Sequence, residues 1–225
     1  MKFIFACVVL LLSFFTGMVK AQSDTSFVYL DSSLHVTPKE NAFYAETVAH
    51  HDKMYFTTLV DVRKKYTLYT GSYKDKRLLV QEGLFEYYTK NIETMRGNYH
   101  NGRQVGTWQK WNTDSLLIDS VGFNDDGEVL AEAKYNYHAN RKLWRYEIVN
   151  TDGQRLTRQY DTVGNLESEG KFTDNDGETF IYYPSGKSKM HSVFKGNTRT
   201  FFEFFDESGK KYNEQEYAEF IKAKQ

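Results

Sequence analysis

The sequence predicts an all-β protein made of consecutive hairpins, and three observations carry that reading. Short aromatic runs alternate with polar residues, tight-turn dipeptides separate the runs, and one strand–turn–strand unit recurs along the chain. The clearest copy is Gly97 to Trp111, GNYHNGRQVGTWQKW. Tyr99 closes its first run. His100-Asn101-Gly102-Arg103 supplies the turn, where Asn-Gly accepts the positive φ of a tight hairpin. Gly106 opens the second run, with Trp108 and Lys110 pointing one way and Gln109 and Trp111 the other.

Further copies follow the same order. Gly71-Ser72-Tyr73-Lys74-Asp75 precedes Gly83-Leu84-Phe85-Glu86-Tyr87-Tyr88, and Tyr135 to Asn140 leads into Leu143-Trp144-Arg145-Tyr146. Gly170 to Asp174 leads into Thr179-Phe180-Ile181-Tyr182-Tyr183, and Phe194 to Asn197 into Phe201 to Phe205. The first aromatics of the second strands, Phe85, Trp108, Trp144, Phe180 and Phe202, are separated by 23, 36, 36 and 22 residues. Such periods mark solenoids or arrays, the longer ones fitting a unit with an extra strand pair such as Leu156 to Tyr160.

This pattern resembles the MORN-repeat variants, in which a Y-x-N-G turn is followed by G-x-W/F-x-x-Y/W. Tyr99-His100-Asn101-Gly102 with Gly106-Thr107-Trp108-Gln109-Lys110-Trp111 is the best match. Later copies depart from it: Asn140 and Asp174 stand at the Gly102 position, and Lys142, Glu178 and Thr200 at the Gly106 position. The resemblance covers roughly residues 67–210. It implies hairpin repeats forming an elongated, twisted antiparallel meander, and no single activity. The opening, Tyr29-Leu30-Asp31 and Pro38 to Tyr44, resembles the leader before such repeats in secreted proteins of the Bacteroidetes type. The energy-transducing activity of the module that follows some of those repeats is not expected of this chain. Tyr160 to Leu166 resembles one YD repeat of the Rhs type, which supports strand–turn–strand and no toxin role.

Taken in order, Met1–Ala21 reads as a secretory signal peptide. Lys2 supplies the positive start, Phe3 to Phe15 the apolar run, and Val19-Lys20-Ala21 the cleavage site. Cys7 lies inside the apolar run, which argues against a lipoprotein. A leader segment, residues 22–66, holds a strand at Phe27–Leu30, a turn at Asp31 to Ser33 and one helical turn near Pro38 to Ala42. It closes with strands at Phe43–Val48 and Met54–Val62 separated by a turn at Ala49 to Lys53. The repeats span residues 67–211, with turn signals at Asn101-Gly102, Asp126-Gly127, Asp152-Gly153, Asp176-Gly177, Ser185-Gly186 and Ser208-Gly209. Residues 212–225 predict a short amphipathic helix, Tyr217, Phe220 and Ile221 forming its apolar side and covering the last strand.

Composition narrows the function classes. Loss of Met1–Ala21 removes the only cysteine, and with it disulfides, thiolate catalysis and cysteine metal sites. Without Lys2 and Lys20 the 29 basic residues fall to 27, against 30 acids, a balance of −3. That mixed, near-neutral charge favours neither nucleic acid nor an anionic membrane, and no membrane insertion is expected after cleavage. Aromatics make up 16% of the chain, a composition for a pleated, half-buried sheet rather than disorder.

No catalytic fingerprint stands out. There is no H-E-x-x-H, G-x-S-x-G, Walker loop or dinucleotide motif, so neither enzyme, metal nor cofactor is expected. His50-His51 would point to opposite faces of a strand, and Asn124 to Glu128 and Asp174 to Glu178 lack the spacing of calcium loops and read as hairpin turns. A hidden acid pair remains an open alternative. The aromatics remain: Tyr88, Trp111, Tyr183 and Phe205 align on one side of the second strands as a candidate binding strip, which Glu147 interrupts in the middle copy. The competing reading packs both aromatic rows into the sheet itself. These features predict a non-catalytic, periplasmic or secreted repeat protein that binds an envelope protein. Glycan or cell-wall binding and, from the labels many MORN-variant proteins carry, an antitoxin-like role are the alternatives.

Overall fold

The computed structural model describes residues 24–196 and 198–223. The predicted signal peptide and its cleavage site lie outside the described residues. One sheet of sixteen antiparallel strands runs in sequence order. Its strands are β1 (Asp24–Leu30), β2 (Tyr44–His51), β3 (Met54–Asp61), β4 (Tyr66–Tyr73), β5 (Gly83–Thr89), β6 (Ile92–His100), β7 (Arg103–Trp111) and β8 (Leu117–Phe123). They continue as β9 (Val129–Tyr137), β10 (Leu143–Asn150), β11 (Gln154–Tyr160), β12 (Leu166–Thr173), β13 (Asp176–Tyr182), β14 (Ser188–Lys195), β15 (Thr198–Phe205) and β16 (Lys211–Tyr212). Helix α1 (Glu214–Lys222) follows, and a 3-10 turn, Lys39–Asn41, falls where Pro38 predicts a helical turn. Each described strand pairs its backbone only with its sequence neighbours, so the described sheet neither folds onto itself nor closes into a barrel. At ~4.8 Å per strand step the ribbon is roughly 70 Å long.

A sheet one layer thick has no sandwich interior, and its stability rests on cross-strand side-chain pairs. On the first face, Phe85 (1% exposed), Tyr73 and Trp108 are buried, with Tyr55, Tyr87, Met95, Tyr99 and Phe123 packed around them. The rings meet edge to face: Tyr73–Phe85 at 5.3 Å, Phe85–Tyr99 at 4.9 Å and Tyr99–Trp108 at 4.9 Å. These rings need bare backbone beneath them. A Cβ on Gly71 would stand 2.3 Å from a Phe85 ring carbon, and one on Gly97 would stand 2.1 Å from the Trp108 ring.

Seven described turns share one geometry. In residues 31–35, 112–116, 124–128, 138–142, 161–165, 183–187 and 206–210 the first N–H donates to the fifth carbonyl, and the fourth N–H to the first carbonyl. The fourth residue is left-handed in each, from Leu34 (φ 63°) to Gly209 (φ 92°). Where the first residue is Asp or Asn, its side chain also accepts from within the turn, as Asn112 does from the N–H groups of Asp114 and Leu116. Turns at the strand-end shared by β7, β9, β11, β13 and β15 begin at 112, 138, 161, 183 and 206, so the true repeat there is mostly 22 or 23 residues.

Asp206 gives these turns a pH signature. Hydrogen bonds from the Ser208 hydroxyl, the Lys210 N–H and the Tyr212 hydroxyl outweigh desolvation and hold its carboxyl down at about 2, from an ordinary 3.8. A folded value below the unfolded one stabilises at higher pH, and this contribution is lost as pH falls from about 4 towards 2. Asp206→Asn keeps an acceptor but cannot titrate. The stability gap between wild type and this variant, measured by denaturation at stepped pH, should therefore be widest above about pH 4 and close near pH 2; a gap independent of pH would refute the assignment.

Several sequence expectations need correction. Strand β7 starts at Arg103 rather than at Gly106. Gly106 (φ 65°) sits within it, where pairs Asn98–Val105 and Arg96–Gln109 leave Gly97 facing extra residues. The turn predicted over Ala49 to Lys53 shrinks to two residues, because His51 already pairs with Met54. Asp176-Gly177 is strand: Thr173 pairs with Asp176, and Asp174 (φ 52°) takes the left-handed geometry instead. Gly177 is there for close approach, since a Cβ would stand 2.3 Å from the Lys171 carbonyl oxygen.

Trp144 is not a counterpart of Phe85 and Trp108. A 36-residue step holds three strands, so it lands on β10, which runs opposite to β5 and β7, and Trp144 is 43% exposed there. Helix α1 opens with a capping box between Asn213 and Glu216. Tyr217 and Phe220 lie 3.9 and 6.0 Å from Phe204, on the first face. Ile221 turns outward, 37% exposed, rather than joining that contact.

Candidate binding surface

Alternation and register place Tyr88 and Trp111 on the second face of β5 and β7, opposite the buried rings. Tyr88, Trp111, Tyr183 and Phe205 are all half-buried. They fall at the ends of β5, β7, β13 and β15, strands that run in the same direction, so all four lie along one long margin of the ribbon. The strip is nevertheless two pairs, and Tyr183 opens its turn as Asn112 and Asp206 do, so Tyr182 rather than Tyr183 stands where Trp111 and Phe205 stand. Between β7 and β13 lie six strand steps, roughly 29 Å.

Each pair has its own local contacts. Arg96, from the strand between them, lies 5.3 Å from the Trp111 ring centre, while Tyr88 donates its hydroxyl to Glu86 at 3.1 Å. Desolvation and the Glu86 carboxylate push the Tyr88 hydroxyl up. In the second pair, Tyr183 donates to the Phe205 carbonyl at 2.9 Å, and Lys189 lies 5.5 Å from the Tyr183 ring centre. One side of the Trp111 and Tyr183 rings therefore carries a cation. Glu147 does not interrupt this row. It belongs to the first face of β10, where Arg145 and Arg155 bind it at 2.9 and 3.4 Å.

A second set of residues, missed in the aromatic spacing, occupies the second face of β9 to β13. Tyr135 and Tyr146 are register partners with ring centres 6.1 Å apart and planes 27° apart. Tyr160 follows at 6.5 Å and 23° from Tyr146. Arg158, the partner of Tyr146 on β11, donates to its hydroxyl at 2.9 Å and forms an ion pair with Glu169 on β12. Lys171 reaches the same carboxylate at 3.3 Å. The Glu169 side chain is only 9% exposed. Burial works to raise its carboxyl, and Arg158 and Lys171 together hold it below the usual carboxylate range. The sequence signal for this set is a tyrosine or charge on alternate residues of three successive runs, but only register shows that they meet.

No family model matches the chain, and no curated protein matches it. Among solved structures it is similar to "Crystal structure of GtfA/B complex bound to UDP and GlcNAc", at 15% identity and a TM-score of 0.23, over 51% of this chain and 22% of that one. The chain spans about a fifth of that structure's length, and a TM-score this low carries no argument about fold or activity.

Proposed function

We propose that this chain is an exported, non-catalytic repeat protein that binds another protein in the cell envelope, as a member of the MORN-variant hairpin arrays. The observation that supports this reading is the one-layer ribbon itself. Its buried rings gather on one face, the other face carries Tyr88 and Trp111, and Tyr183 and Phe205 lie farther along the same margin. Rings at a shared margin, with Tyr88, Trp111 and Tyr183 each beside a charged side chain, suit a partner surface with an apolar centre and a wet rim. The signal-peptide pattern of Met1–Ala21 supports export.

Pull-down from a cell-envelope fraction tests it, with the mature chain as bait and Trp111→Ala and Tyr183→Ala as comparisons. Loss of a specific protein from either variant is the expected result. An identical set of captured proteins in all three samples removes the strip from the binding surface.

A further inference from the structure

We propose that the second face of β9 to β12 is a binding platform for a neutral polysaccharide, with Tyr135, Tyr146 and Tyr160 as stacking surfaces and Arg158 as a fixed hydrogen-bond donor. This ligand and this surface are separate from the protein-binding strip proposed above.

Three observations carry the assignment. First, the tyrosine planes are within 30° of parallel while their centres are more than 6 Å apart. The three stack in a row across adjacent strands, with the Arg158 guanidinium 5.8 Å from the Tyr146 ring centre. They are half-buried, with no second layer of described residues above them. A platform of this kind suits the apolar C–H face of a sugar ring, and successive rings across strands suit successive sugars.

Second, Arg158 is held in place from both sides. Its Nε–H is committed to Glu169 and one Nη1–H to the Tyr146 hydroxyl. A guanidinium has five N–H donors, so three remain for oxygens that settle beside the ring. A donor already immobilised loses little freedom on binding.

Third, the charges on this face are paired locally. Arg158 and Lys171 both meet Glu169, and Glu178, the register partner of Lys171 on β13, meets His191 at 3.2 Å, so each of these charges already has a partner of opposite sign or an imidazole. An anionic or cationic polymer therefore gains no net attraction here, whereas hydroxyl and ether oxygens can use the donors without bringing a counter-charge. Ring faces together with neutralised, oriented donors define an uncharged, polyhydroxylated ligand.

The experiment is affinity electrophoresis of the full chain in native gels containing a soluble β-glucan, a mannan or a dextran, with polygalacturonate as the anionic comparison. Retardation by at least one neutral polymer is expected. Tyr146→Ala/Tyr160→Ala should weaken it at least ten-fold, and Arg158→Gln, which leaves the rings in place, several-fold. Tyr146→Phe/Tyr160→Phe keeps the rings and should retain most of it, which separates lost stacking from lost folding. Trp111→Ala should change nothing. The proposal is overturned by no retardation of the wild type in any neutral gel, by retardation in polygalacturonate alone, or by full retardation of the alanine pair. No envelope protein is present in the assay, so its failure leaves the pull-down reading untouched, and the reverse holds too.

Discussion

Gly97→Ala should destabilise the first-face ring cluster by about 2–3 kcal/mol, the upper range for forcing a methyl into packed side chains. The added carbon would sit 2.1 Å from the Trp108 ring, which is buried and tied by its indole N–H to the Asn98 carbonyl at 3.0 Å. The ring cannot simply swing aside without losing that bond and its edge contact with Tyr99. Trp108→Ala alone should cost about 3–5 kcal/mol. The two losses should not add: once the ring is gone, the methyl has room, and alanine is the better strand residue. A double-mutant cycle by chemical denaturation would therefore show strong coupling. Additive losses would mean that the glycine is not needed for close approach.

Phe204→Ala should release helix α1 without unfolding the rest of the ribbon. Phe204 is buried and is the ring on which Tyr217, Phe220 and Tyr212 converge, at 3.9, 6.0 and 6.2 Å. Removing a buried phenylalanine costs about 3–5 kcal/mol, and a nine-residue helix is marginal in water without its apolar support. Hydrogen exchange should thus show protection lost over Glu214–Lys222 and β16, with β5 to β7 unchanged. The locality follows from the contact pattern, since among the described elements α1 packs on β15 and β16 alone. Uniform loss of protection across the sheet would contradict it.

Much of this architecture is legible in the sequence because turns announce themselves. Asn101-Gly102 takes φ 51° and 78° in the two-residue hairpin that the dipeptide predicts, and Asn124 to Glu128 is the hairpin turn expected of it. Left-handed geometry on non-glycine residues is harder to see. Arg141 (φ 66°) and Ser115 (φ 60°) occupy the position that Gly164 and Gly209 fill elsewhere, so the 22–23-residue period fades in the middle of the chain. That gap is why Trp144 looks equivalent to Trp108 although its strand runs the other way. For the binding surface, alternation correctly separates Trp111 from Trp108. It cannot count the strands between Trp111 and Tyr183, and it cannot show that Tyr146, Arg158 and Glu169 lie side by side. That information resides in register, which depends on every bulge along the way, such as the shift after Gln159.

Backbone pairing confined to sequence neighbours among the described strands makes the ribbon a ruler. Excising one hairpin, for instance the stretch from one turn start at 161 to the next at 183, would bring two strands of the correct polarity together and shorten the ribbon by roughly 10 Å. A globular enzyme losing the same stretch would be left with a hole. Selection on such a chain can thus set reach by gain or loss of whole units, independently of what any one face binds.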